Sequence, residues 1–534
     1  MKVIDRRTFL QKSLIAGVIG ACCSQKVLSD NIELNNNKEF DIVIKNGMVV
    51  DGSGGKPFIA DIAIKGDKIY EIASNIPISA GKKVIEAKGL IVCPGFIDVH
   101  THSSGGGISY NYIYQGVTTE IGGNCGKTSV PNGTSTIADQ LLSFEKQANL
   151  TNFGTLAGHS PIRSLAMGLA DRKPTADELK VMKKWVAQSL EQGAFGLSSG
   201  LAYVPGFFSD ADEMAELCKV VKQYDAIYTT HMRNESLGVL DSIDETLQVA
   251  KVSGVRVEIS HLKMSRAKAW SLADEALLKI EGAKKSGIDI ACDVYPYTAW
   301  NTFLTVMFPK WSREGDQELL GQCPNLLRRL NDASLDAKIR DGVSQEIESM
   351  GGCQNLLING KSVAQMAQEQ NTTPYDIMKQ VVIESNAGAG VIGISMTEEN
   401  IEKIVAFPLT MIASDGWGQG PVGVSSAHPR NYGSFPRVIG NYAREKDIIS
   451  LPQAIKKMTS QPAEHFQIKD RGVLEKGKFA DITIFNYRDI KDTATFAMGN
   501  QKPVGIEYVL VNGKVAVENG TLTGVTAGRI LRKV

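Results

Sequence analysis

Histidine is scarce in this chain, so the places of its seven copies are informative: His100, His102, His159, His231, His261, His428 and His465. The strand-like run Leu90-Ile91-Val92 leads through Pro94-Gly95-Phe96-Ile97-Asp98-Val99 into His100-Thr101-His102. Alternate residues of an extended strand share a face, so these imidazoles point the same way. His231 directly follows the apolar run from Ile227 to Thr230, and His261 follows Val255 to Ser260. Asp415 follows Leu409 to Ser414, and Cys125 stands in a Gly-Gly-Asn-Cys-Gly turn after Thr118-Thr119-Glu120-Ile121. Imidazole, thiolate and carboxylate are the donors that zinc prefers. A lone buried histidine is usually structural, but a set gathered at strand ends with a cysteine and an aspartate reads as a metal site. His159, in Gly158-His159-Ser160, reads instead as a brace for a neighbouring loop. His428, in a loop near Arg430, reads as a supporting group, and His465 lies in a helical stretch where packing is the simpler reading.

The elements that must position these groups alternate. Ala226 to Thr230, Val255 to Ser260, Asp289 to Val294 and Leu409 to Ser414 have the unbroken apolar character of buried parallel strands. Helical patterns separate them, as from Thr175 to Gln192, Asp210 to Tyr224 and Leu237 to Val252. Repeated strand-helix units predict a parallel sheet or barrel over about 94–466; the expected fold is a (β/α)8 TIM-like barrel, in which the strand carboxyl ends form the face where active sites assemble. The charged, helical segment of about 300–351 is expected to be an insertion. Hairpin patterns at both chain ends, such as Phe40 to Val50 around Asn46-Gly47 and Tyr508 to Val511 before Asn512-Gly513, predict a small β-sandwich. It would be assembled from 40–93 and 467–534, since chain termini commonly lie close together.

Length and composition agree with an ordinary globular protein. The 534 residues can bury a full core; 43% are hydrophobic and 22% charged. Lys plus Arg equals Asp plus Glu at 58 each, so no net field favours nucleic acid or an anionic membrane. Residues 1–23 read as an export signal: Arg6-Arg7, then a short apolar run from Leu14 to Cys23. Ile19-Gly20-Ala21-Cys22 is similar to a lipoprotein cleavage box, making Cys22 a candidate lipid anchor and the expected location periplasmic or exported. Residues 24–39 read as a tether. Beyond Cys22 and Cys23 the cysteines are scattered singly, which argues against a disulfide framework.

The motif from Pro94 to His102 resembles the entry motif of the amidohydrolase superfamily. Within it, the closer resemblance is to the N-acyl-D-amino-acid deacylases (D-aminoacylases). The residues that carry it are Gly123-Asn124-Cys125-Gly126, Gly196 to Tyr203, His231-Met232-Arg233-Asn234-Glu235, Ile259 to Lys263, Ser414-Asp415-Gly416, His428-Pro429-Arg430, Lys457 to Ala463 and Arg471-Gly472. The resemblance runs from about Phe40 to Arg532. It implies zinc-dependent hydrolysis of the amide bond of N-acyl-D-amino acids. Cys125, His231 and His261 would hold one zinc tightly; His100, His102 and Asp415 would form a weaker second site, with Asp415 also the general acid/base. Tyr203, Lys263 and Arg430 fall where the family holds the substrate α-carboxylate. The glycine-rich run from Trp417 to Ala427 departs from the family pattern.

The chemistry fits that assignment. Zinc lowers the pKa of water to about 7, and Asp415 would carry the proton to the leaving amine. Lysine, arginine and a phenol are suited to clamping a carboxylate. The alternatives are a cyclic-amide hydrolase (dihydropyrimidinase- or hydantoinase-like) or a deaminase of the same superfamily, or a non-catalytic metal-binding protein. Relatives that open cyclic imides commonly use a bridging carbamylated lysine, whereas here Cys125 stands where a further ligand is wanted.

Overall fold

The computed structural model describes residues 39–103, 109–316, 322–419 and 428–533. The expected export segment, Cys22, and residues 420–427 of the glycine-rich run lie outside the described residues. Among those described, no helix is long and apolar enough to cross a membrane.

The amino-terminal strands are β1 (Phe40–Val49), β2 (Phe58–Lys65), β3 (Lys68–Ala73), β4 (Gly81–Glu86) and β5 (Ile91–Pro94). The barrel strands follow: β6 (Phe96–Asp98), β7 (Val117–Gly122), β8 (Asn152–Thr155), β9 (Ala157–Gly158), β10 (Gly196–Gly200), β11 (Ile227–His231), β12 (Arg256–Ile259) and β13 (Ile290–Val294). Strands β14 (Ala299–Phe303), β15 (Leu356–Ile358), β16 (Lys361–Ser362) and β17 (Gly390–Ile394) intervene before the last barrel strand, β18 (Thr410–Ile412). The carboxyl-terminal strands are β19 (Ile482–Phe485), β20 (Ile506–Val511), β21 (Lys514–Glu518) and β22 (Thr521–Leu522).

All pairings within the barrel are parallel. One set runs β6-β7-β8 and the other β9-β10-β11-β12-β13-β18. Strands β8 and β9 are one extended run interrupted only at Leu156. At the other seam, Asp415 N–H donates to His100 O (2.9 Å) and His102 N–H to Gly416 O (2.7 Å), across a parallel bridge from Thr101 to Gly416. The strand order is therefore cyclic, and the barrel closes where candidate metal ligands sit. Alternation explains the packing. Ile97, Ile121, Leu156, Phe195, Ile227, Ala291 and Met411 meet in one buried cluster, plugged by Phe466 and Ile468. Their outward neighbours, such as Tyr228, Val257 and Cys292, pack against the helical layer. Helix Ala176–Glu191 begins on a capping box in which Thr175 and Glu178 exchange hydrogen bonds, and helix Val239–Ser253 ends on left-handed Gly254.

The strands of both chain ends form a single nine-stranded sheet. Strand β19 pairs antiparallel with β5, placing Ile484 opposite Val92, and Ile42, Ile44, Ile62, Val92, Ile482 and Leu510 fill its core. The insertion extends further than 300–351. A four-stranded sheet of β14, β17, β15 and β16 carries it to Ile394, with its own core of Leu304, Phe308, Leu326, Ile339, Met378 and Val391. The part from Leu356 to Ile394 joins it through the antiparallel pairing of β14 with β17, a contact between segments far apart in sequence that local pattern does not record.

Candidate metal and active site

The described candidate ligands converge at the carboxyl ends of the barrel strands. Cys125 Sγ lies 3.4 Å from His100 Nε2 and 3.6 Å from His261 Nε2. Asp415 Oδ1 is 2.9 Å from His102 Nε2 and 3.5 Å from His100 Nε2. His231 packs edge-on to His261, with ring centroids 4.5 Å apart. Three groupings have donor atoms close enough to share an ion: His100, Cys125 and His261; His100, His102 and Asp415; and His231, Glu235 and His261. His100 and His261 thus belong to more than one grouping, which mixes the two sets expected from the resemblance.

The backbone is bent to achieve this. Cys125, His261 and Asp415 have φ of 55°, 38° and 50°, a left-handed region that side chains seldom occupy. Such strain persists only where the surroundings impose it, and it clusters at functional sites. Gly123 in the cysteine turn has φ of 78°, and a Cβ there would stand 2.5 Å from Leu156 O, so the turn requires glycine.

Carboxylates behind the imidazoles set their orientation. Asp293, at the end of β13, accepts from His100 Nδ1 at 2.9 Å and, through its other oxygen, from the His261 N–H at 2.9 Å. Glu235 Oε1 lies 2.8 Å from His261 Nδ1 and 2.6 Å from Lys263 Nζ. Each histidine therefore turns Nε2 toward Cys125. This carboxylate–imidazole arrangement is the usual second layer of a metal centre. Sequence reasoning missed both acids. Asp293 repeats the strand-end signal of the other candidates, and Glu235 stands four residues after His231 in a motif already singled out.

The electrostatics favour ligand forms. Burial works to raise the Cys125 thiol, but His100 and the neighbouring imidazoles hold it well below its ordinary value. Burial likewise opposes charge on Asp415, yet the Arg430 guanidinium and His100 hold its carboxyl well below the usual carboxylate range. The thiolate, carboxylate and Nε2-directed imidazoles form a donor set that fits zinc.

These groups open onto a cavity of about 590 Å³, also lined by Tyr203, Lys263 and Arg430. Burial pushes the Tyr203 phenol up, so it stays an O–H donor at working pH. Lys263 is held by Glu235, while Arg430 donates to Asp415 Oδ2 at 2.5 Å and lies over the Tyr295 ring. Both cations expected to clamp a substrate carboxylate are thus paired within the protein. His428 supports Arg430, since its Nδ1 accepts from the Arg430 N–H at 3.0 Å and its Nε2 donates to Ala299 O at 2.9 Å. His159 pairs with Glu213 at 2.8 Å and belongs to none of the metal groupings. His465 donates to Val257 O at 2.9 Å. The far cavity wall, including Trp300, Phe303, Val306 and Phe308, comes from the insertion.

The amidohydrolase family profile matches residues 83–340 and 395–517. This chain belongs to the amidohydrolase family, on its D-aminoacylase branch. It is 30% identical to the D-aminoacylase of Alcaligenes xylosoxydans xylosoxydans, covering 93% of this chain and 99% of that protein. It is 31% identical to an N-acyl-D-glutamate deacylase of the same organism, covering 93% and 97%. The fold matches the crystal structure of the N-acyl-D-glutamate deacylase of Bordetella bronchiseptica, solved with zinc and a phosphonate inhibitor that mimics the tetrahedral intermediate. That match has a TM-score of 0.76 at 28% identity and covers 92% of this chain and 100% of that one. The enzyme therefore shares the TIM-barrel architecture of the family, and its strand-end donors form the candidate metal centre.

Proposed function

We propose that this enzyme is a zinc-dependent N-acyl-D-amino-acid deacylase, releasing a carboxylate and a free D-amino acid. The observation that carries the reading is the position of Asp415. It touches His102 on one side and Arg430 on the other, on the wall of a cavity that also holds Cys125, His261, Lys263 and Tyr203. A proton carrier, metal donors and carboxylate-binding groups thus share one pocket.

Cys125, His231 and His261 would hold one zinc tightly, and His100, His102 and Asp415 a second, weaker one. When bound, zinc supplies Lewis acidity, making water acidic near neutral pH and polarising an amide carbonyl. Asp293 and Glu235 hold His100 and His261 at Nδ1, leaving Nε2 free to ligate. Asp415, ionised beside Arg430, accepts the attacking water's proton on a carboxylate oxygen and returns it to the leaving nitrogen. Arg430, pre-positioned by Asp415 and by Asn301 O at 3.3 Å, meets the substrate α-carboxylate with Lys263 and Tyr203. The D preference is supported by the relatives.

The test is hydrolysis of N-acetyl-D-methionine, its L-enantiomer and dihydrouracil by the zinc-loaded enzyme, with Asp415→Asn alongside. Turnover of the D-substrate is expected, with Asp415→Asn about 100- to 10,000-fold slower, as loss of a general acid/base implies. Faster opening of dihydrouracil, or an Asp415→Asn rate within a few-fold of wild type at equal zinc content, overturns the reading. Export with a lipid anchor at Cys22 belongs to the same proposal. Replacing Arg6 and Arg7 by lysine should leave the protein in the cytoplasm on cell fractionation, and unchanged periplasmic recovery would refute it.

A further inference from the structure

The cations lining the active-site cavity are mostly paired with carboxylates. Lys263 is held by Glu235, Arg430 by Asp415, Arg233 by Glu245 and Arg266 by Glu346. Lys127 is different. It follows Cys125 by two positions, lines the same cavity and is half-buried. Among the described residues, neither a hydrogen-bond acceptor nor a carboxylate is placed on its ammonium, and the negative charge acting on it is that of the Cys125 thiolate. Instead Nζ faces aromatic rings, 4.6 Å from the centroid of Trp417 and 5.4 Å from that of Phe303. Trp417 in turn stacks on His102, with centroids 5.0 Å apart and planes 29° from parallel. Phe303 belongs to the inserted unit, at the end of β14. The lysine is thus held at the seam between the metal centre and the insertion by two ring faces.

Aromatic faces steady a cation but do not satisfy its N–H donors. An ammonium carries three such donors, and a ring face offers them no lone pair. In the open cavity water meets these donors, and an acceptor on the substrate can take its place. Resting on the deacylase reading, the α-carboxylate belongs to Arg430, Lys263 and Tyr203, so that acceptor is a different group. We propose that Lys127 is a specificity-determining residue that binds a second carboxylate on the substrate. The preferred substrates are then dianionic N-acyl-D-amino acids, whose intervening methylenes lie along Trp417 and Phe303. The second carboxylate comes either from the amino-acid side chain, as in N-acetyl-D-glutamate, or from the acyl group, as in an N-succinyl amide.

Two substrate pairs distinguish these sources: N-acetyl-D-glutamate against N-acetyl-D-glutamine, and N-succinyl-D-methionine against its succinamoyl counterpart. In each pair a carboxylate is replaced by an isosteric amide. With the zinc-loaded enzyme, Lys127→Met and Lys127→Gln should lose ten- to a hundredfold more kcat/KM on one dianion than on its amide partner. The loss should lie mainly in KM, and Lys127→Arg should recover most of it. The affected pair identifies the source. Equal losses on acid and amide in both pairs overturn the proposal. If wild type hydrolyses none of the four compounds, the deacylase reading fails, and calorimetric binding of the same compounds to zinc-loaded wild type and Lys127→Met decides Lys127. The same acid-over-amide differential is required there, and its absence overturns the assignment.

Discussion

Glu235 is the residue whose replacement most directly tests how the metal centre is organised. It lies between His261 Nδ1 at 2.8 Å and Lys263 Nζ at 2.6 Å, with its other oxygen 3.7 Å from His231 Nε2. Glu235→Gln keeps the shape and removes the charge. Loss of a carboxylate behind a ligating imidazole typically costs 10- to 100-fold in metal affinity, or about 1.4–2.7 kcal/mol. Stability should fall independently of metal. Lys263 is 4% exposed, and removing its partner leaves a buried ammonium whose remaining acceptor is His261 O. Breaking a buried pair costs about 3–5 kcal/mol. Chelator competition measures zinc affinity, and urea unfolding of the metal-free protein measures stability. A double variant with Lys263→Met should recover much of the lost stability while leaving zinc binding weak, because it removes the stranded charge without restoring the imidazole's partner. Zinc affinity within twofold of wild type, with unchanged unfolding, would refute the reasoning.

Further outcomes are expected. Cys125→Ala should lose a full zinc equivalent by metal analysis, since the thiolate faces two imidazoles at 3.4 and 3.6 Å; full retention with normal activity contradicts its role as a ligand. Arg430→Met should cost about 1.5–3 kcal/mol of transition-state binding on a free-carboxylate substrate, as loss of a charged hydrogen bond does. The matching α-amide should suffer far less, and equal losses would remove Arg430 from the clamp. His465 concerns stability alone. Burial lowers its pKa from 6.5 to about 4, so it stays neutral in the fold while the unfolded chain takes up a proton. Its contribution is present above pH 6.5 and is lost as pH falls toward about 4. The stability lost over that range is at most about 3 kcal/mol. His465→Asn should flatten the acid limb of the stability profile by that order, and an unchanged slope in urea titrations at pH 7, 5 and 4 would show otherwise.

The strand-end placement of the candidate ligands was legible because it is written locally. The HxH spacing obeys the two-residue period of a strand, and His231, His261 and Asp415 each close an unbroken apolar run. The hairpins of both chain ends were equally plain, since alternation and Asn-Gly turns are short-range signals. Their union was expected only from the general closeness of chain termini; the register was not legible, because nothing near Val92 records that Ile484, far along the chain, will lie opposite it. The same limit hid the second layer of the site. Asp293 and His100 are separated by 193 positions and meet only because β13 and β6 approach through the closing strand β18. Which carboxylate neutralises which cation was likewise decided by the fold: Arg430 and Lys263 fall in sequence where the family holds a substrate carboxylate, and in the fold each is already paired at the cavity wall. Side-chain chemistry and periodicity are properties of neighbours in sequence, whereas charge pairing depends on distance in space, and only barrel closure brings these strands together.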